Sequence, residues 1–463
     1  MGFIYGLAMI LVIFEGFITQ CEGAPKRKRN ASLNEINGDQ LLPNDLIELI
    51  VSKTDFKTIH EAIRSYIVPP NSIVMSRILQ DQEIIILPEA DKNICENKFG
   101  GMLIGNYEGL SSFFEKFGDQ VKKISINLGE NDGSRREITQ NIIKRYAKNF
   151  ERLQIEGFHL DRFWNGISDG ENNIIFPEVK KFHMRGHIHR NDFKLNLIFP
   201  KLESFTLIGR IIDANCLKNV KGLKELILST DSIKEDQFDG IFANNKNITK
   251  VYIREPERME TWHSIAKHLT KLKKLLVPFP SENFMLRSNN SPVCKLPSVT
   301  YSYFSFTLMG EAFGIGNRSF ELPHLKKLTL DGEVADDRII NFIQYFKELE
   351  ILELFIDEYD TVECIEKLKH IREFTTPFYE ADFDFLKNMF KNFDKKSKLQ
   401  TLTFVDFDES LYQKYEDTMK EINAELKNSG KPTWTLSHER EIKTNRNYLI
   451  FSREPCTCKD CNQ

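Results

Sequence analysis

Apolar residues return along this chain in one local arrangement. A first apolar position is followed, after a gap of two, by two more that flank a single residue. The set reads Val121, Ile124 and Ile126, then Phe150, Leu153 and Ile155, then Val179, Phe182 and Met184. It continues through copies starting at Leu202, Leu223, Ile248, Leu272, Leu325, Leu349, Ile371 and Leu399, with a weaker copy at Val299. Most starts lie roughly 21 to 29 residues apart. The last two apolar positions alternate with their neighbours, which predicts a short strand with one buried face. Between strands runs a helical set, such as Ile142, Ile143, Tyr146 and Phe150, or Ile339, Ile340, Ile343 and Phe346. Such a helix covers the other side of the same core. One strand–helix unit cannot bury its strand face alone, so the units must stack.

This recurrence resembles the leucine-rich repeat. The expected fold class is α/β: a leucine-rich-repeat solenoid over residues 121–437, with a curved parallel sheet backed by helices. The asparagine or cysteine that usually follows the strand is mostly missing, and repeat lengths vary. The irregular, helix-backed repeats of F-box–LRR proteins are similar in both respects.

Residues 40–85 form a small all-α module ahead of the repeats, and 86–120 a transition or cap. Pro43 suits the first turn of a helix, and Asp45 places negative charge near its positive end. Leu46, Ile47, Leu49 and Ile50 supply the apolar face. Asp55 heads a second helix with Ile59, Ala62 and Ile63, and Pro69-Pro70 ends it. The module resembles the F-box, which docks on the Skp adaptor of cullin ubiquitin ligases. That resemblance implies an adaptor-binding set of Leu42, Pro43, Asp45, Leu46, Ile47 and Ile50. The Cys-x-x-Trp-like ending of many F-boxes is absent, and a plain helical cap on the solenoid is the alternative.

Residues 1–23 read as a secretory signal, with an apolar run from Phe3 to Phe14 and Gly23 at the cleavage position. An uncleaved anchor is the other reading of that run. A basic spacer follows at 24–39, opened by Lys26-Arg27-Lys28-Arg29. The tetrad fits a solvated spacer, a processing site or an anionic-surface patch. No later segment is apolar enough to span a bilayer, so no membrane is expected in the mature form.

Signal, F-box-like module and repeats in this order resemble the secreted salivary F-box–LRR effectors of plant-feeding gall midges. The resemblance implies secretion, then delivery into the cytoplasm or nucleus of a host cell. There the chain acts as substrate receptor of an SCF-type ubiquitin ligase, with the Skp adaptor at one end and an unknown target protein on the repeats. Its contribution is proximity rather than catalysis. Two alternatives stand beside it: an extracellular leucine-rich-repeat binding module with no ubiquitin role, and an intracellular F-box receptor with a false signal.

Outward strand positions are the expected target face. They include Lys181, His183 and Arg185, then Lys250, Tyr252 and Arg254, then Asp331, Glu353 and Phe355. A basic, aromatic middle and a more acidic C-terminal part fit a protein of mixed charge. A merely solvated sheet face is the bland reading.

The remaining chemistry changes the picture little. In 463 residues, 41% are hydrophobic and 28% charged, as in ordinary folded proteins, and a net charge of -4 gives no global pull toward nucleic acid. His183, His187 and His189 lack the accompanying ligands of a metal site. The C-terminal tail, 438–463, holds Cys456, Cys458 and Cys461 without a fourth ligand, which favours a disulfide or a loose tail over zinc. Asn30, Asn247, Asn289 and Asn317 begin N-x-Ser/Thr sequons, the third weakened by Pro292. With no nucleophile motif, phosphate loop or supported carboxylate pair, neither enzymatic activity nor a cofactor is expected.

Overall fold

The computed structural model describes residues 79, 83–86, 101–104, 107–129, 133–167, 174–189, 193–211, 215–230, 233–254, 259–278, 293–306, 320–332, 338–356, 367–377, 383–392, 398–441 and 446–454. The signal, the basic spacer and the adaptor-binding set from Leu42 to Ile50 lie outside the described residues. The chain divides into two compact units, residues 1–127 with 132–142, and residues 128–131 with 143–463.

In the first unit, strand β1 (Glu83–Ile86) lies between β2 (Gly101–Ile104) and β3 (Lys123–Asn127), parallel to both. Ile84 pairs with Met102 on one side and Ile124 on the other. Helix α1 (Tyr107–Phe117) buries Leu110 and Phe114. This corrects the expected boundaries. Parallel strand pairing begins at Glu83, within the last residues assigned to the helical module, and continues through the segment read as a transition. Ile84-Ile85-Ile86 is a continuous apolar run, buried throughout, so the strand has no alternation to announce it.

The division between the units falls within α2 (Gly133–Tyr146). The second unit then alternates strands with short helices: β4 (Arg152–His159), α3 (Asp161–Ile167), β5 (Lys181–Ile188), α4 (Leu195–Ile198), β6 (Ser204–Ile211), α5 (Asn215–Lys218) and β7 (Glu225–Ser229). Next come α6 (Glu235–Asn244), β8 (Lys250–Ile253), α7 (Met259–His268), β9 (Lys274–Pro278), β10 (Cys294–Lys295), β11 (Tyr301–Phe306) and β12 (Phe320–Glu321). The series closes with β13 (Lys327–Gly332), α8 (Arg338–Gln344), β14 (Ile351–Ile356), β15 (Glu373–Pro377), α9 (Phe383–Asn392), β16 (Thr401–Val405) and α10 (Tyr412–Asn428). Strands β4 to β9, β11 and β13 to β16 pair in parallel, each with the next, while β10 and β12 pair apart from them.

Register turns the sequence pattern into rows. Leu153, Phe182, Phe205, Leu226, Val251 and Leu275 occupy one position on successive strands, and all are buried. Each contributes about 2–3 kcal/mol by leaving water. The helices sit against this face. Trp164 of α3 meets Phe182 edge-on at 6.0 Å, and Phe342 of α8 meets Phe304 at 6.2 Å. The weak copy at Val299 continues the same row with Ser302. Its hydroxyl is fully buried and donates to the carbonyl of Leu275 at 3.1 Å, so the polar substitution leaves no orphan.

Adjacent repeats are also tied through the backbone ahead of each strand. The carbonyl of Glu151 accepts from the amides of Lys180 and Lys181, and Lys180 does the same for Glu203 and Ser204. Asn245 supplies one side-chain tie. Buried at the end of α6, it accepts from the amide of Leu223 at 3.0 Å and donates to the carbonyls of Val220 and Ile241, both at 2.9 Å.

Strands β4, β5 and β6, of eight residues each, are longer than the other described parallel strands and carry Gly157, Gly186 and Gly209 near their ends. Gly186 and Gly209 pair directly, with φ of +145° and +130°. A Cβ on Gly186 would lie 1.8 Å from the carbonyl oxygen of Gly157, so only glycine lets these backbones approach.

The segment read as a C-terminal tail is partly structured. Strands β17 (Trp434–Glu441) and β18 (Arg446–Arg453) form an antiparallel hairpin, and β18 pairs antiparallel with β16. Leu449, Phe451 and Trp434 are buried, while Asn423 of α10 clamps the Trp434 backbone through its amide and carbonyl. A hairpin reverses the chain and so carries no repeat signature. The cysteines at 456, 458 and 461 lie outside the described residues.

Candidate functional site

Opposite the buried rows of the second unit's sheet, the described strands carry intermediate and exposed positions, and the sequence-derived target residues stand among them. Lys181, His183 and Arg185 alternate with buried Phe182 and Met184. Lys250 and Tyr252 alternate with Val251 and Ile253, and Glu353 and Phe355 with Leu352 and Leu354. Arg254 follows β8 directly, its amide bonded to the carbonyl of Leu228 at 2.9 Å. The residues share a face but not one spot. Strand spacing puts β5 roughly 14 Å from β8, and β14 about 19 Å beyond that.

The three groups differ in electrostatic character. Lys181 and Arg185 are exposed, whereas His183 is half-buried between them. Burial holds the His183 imidazole below its ordinary pKa, with Arg152 and Arg185 pushing the same way against Glu156. His183 is therefore a neutral polar contact at pH 7. Its Nε2 is buried without a hydrogen-bond partner. The β5 site is thus less basic than its sequence reads.

The C-terminal group belongs to a network that crosses β11, β13 and β14. Tyr303 donates to Asp331 at 2.8 Å, Lys327 pairs with Glu353 at 2.6 Å, and Thr329 donates to the other Glu353 oxygen at 2.6 Å. The Lys327 ammonium also stands 5.5 Å from the centre of the Tyr301 ring. Burial, then the bond to Asp331, pushes the Tyr303 phenol above its ordinary pKa, so it remains a donor at any physiological pH. Phe355 lies nearby, with Arg446 of the hairpin 5.8 Å from its ring centre. Glu353 and Asp331 are therefore already engaged.

Sequence reasoning passed over Tyr301, Tyr303, Lys327 and Thr329. The two tyrosines flank Ser302, the residue that made their copy weak. It also missed a row formed by Ile227, Tyr252, Leu276 and Tyr303, one on each of β7, β8, β9 and β11 in direct register. Alternation could have exposed it, because each of the four stands midway between two inward positions.

Other candidate chemistry disperses. Among the described residues, no group of three His, Cys, Asp or Glu side chains is placed to hold a metal ion. His187 instead packs edge-on against exposed Phe158 at 5.3 Å, and the amide of His189 bonds to Asp161 at 2.9 Å. Among the described residues, no helix is long and apolar enough to cross a membrane. Asn247 is exposed in the turn before β8 and accepts from Lys271 at 2.8 Å. Asn30, Asn289 and Asn317 lie outside the described residues.

No protein-family model matches the chain, and no curated protein is similar to it in sequence. Among solved structures it is similar to an internalin of Listeria monocytogenes at 13% identity and a TM-score of 0.29, covering 56% of this chain and 68% of that one. A leucine-rich-repeat protein of Leptospira interrogans gives 12% identity and 0.25, covering 65% and 88%. TLR13 in complex with single-stranded RNA gives 12% and 0.32, covering 64% and 41%. Superpositions this loose carry no functional argument. By its own periodicity and parallel register, the second unit has a fold of leucine-rich-repeat type.

Proposed function

We propose that this chain is a non-catalytic receptor that holds a target protein on the open sheet face and presents it through a partner docked at its N-terminal module. The observation that carries the reading is the set of partly or fully exposed positions that alternate with the buried rows on the described strands. Successive strands present side chains of both charges and several aromatics on one continuous sheet, which is the composition of a protein-binding surface. The finer reading comes from the resemblance. Leu42, Pro43, Asp45, Leu46, Ile47 and Ile50 form an F-box-like set that engages a Skp adaptor, and the chain serves as substrate receptor of a host SCF-type ubiquitin ligase after secretion.

The test is a pull-down of the full chain with a plant Skp adaptor, beside the Leu42→Ala/Pro43→Ala variant. Capture by the parent chain and loss in the variant support the reading. Absence of capture, or capture that the variant does not change, removes the adaptor role.

A second reading, an extracellular binding module with no ubiquitin role, is favoured by one observation. Asn247 begins a sequon and is exposed in a turn. Intact-mass measurement of secreted protein, with and without glycosidase, tests occupancy at that site.

A further inference from the structure

We draw no further inference here: the strongest candidate, the row of Ile227, Tyr252, Leu276 and Tyr303 across β7, β8, β9 and β11, carries nothing, because Lys250 beside it stands in register with Glu225 and nothing in the structure shows what covers the row.

Discussion

The α-carbon of Gly209 faces the carbonyl oxygen of Gly186 so closely that a Cβ would stand 2.1 Å from it. Gly186 stands in the same relation to Gly157, so three repeats are locked together by the absence of side chains. Gly186→Ala is expected to destabilise the protein by at least about 3 kcal/mol, through both the close approach and the positive φ. Gly222 separates the two causes. Its φ is +91°, but open space surrounds its missing Cβ, so Gly222→Ala should cost only about 1–2 kcal/mol. Urea denaturation of both variants checks the difference, and equal losses would remove the close-approach argument.

Among the described residues, Asn245 is the one buried asparagine, and it bonds to the backbone of two repeats. Replacing it with alanine strands the amide of Leu223 and the carbonyl of Val220 in the core. The expected loss is about 2–3 kcal/mol. Asn247→Ala, two residues on and exposed, should be within about 0.5 kcal/mol of the parent. Thermal melts of the pair measure this directly.

His183 and His370 carry a pH dependence of known sign. Burial is the first cause in each case and holds the folded pKa below the ordinary 6.5. The unfolded chain therefore binds protons first as pH falls through 6.5. Stability contributed by the neutral rings is fully present above that value and is lost progressively below it, down to the folded pKa. Melting temperature should fall between pH 7.5 and pH 5 more steeply in the parent than in His183→Gln/His370→Gln. Parallel curves would show that neither ring contributes.

Cys294 is buried, and desolvation pushes its thiol up to about 11. At pH 8 only about one molecule in a thousand then carries the thiolate there. Native protein treated with iodoacetamide and mapped by mass spectrometry should show Cys294 unmodified, with full labelling in denaturant. Rapid native labelling would show that the strand bearing it opens readily.

The strand rows were legible in the sequence because their inward residues are large and alternate: Phe182 with Met184, Leu226 with Leu228, Leu352 with Leu354. Legibility failed where a local substitution or a change of geometry broke that alternation. Ser302 weakened one copy, although its hydroxyl is satisfied by the previous strand. Ile84 to Ile86 is apolar throughout, and the closing hairpin runs antiparallel. Side-chain engagement was harder still to read. Glu353 and Asp331 look like available acids in the sequence, but Lys327, Thr329 and Tyr303 reach them from positions 24 to 28 residues away. The glycines at 157, 186 and 209 belong to no short motif, because their reason is the backbone of the neighbouring repeat.

The hairpin that follows β16 has a consequence for how the molecule keeps to itself. Its outer strand runs Ser437, His438, Glu439, Arg440 and Glu441, all exposed. Charges of both signs on an edge strand discourage another molecule from adding a strand there. The same five positions written in valine and isoleucine would leave the fold's core untouched and turn its last strand into a template for polymer growth.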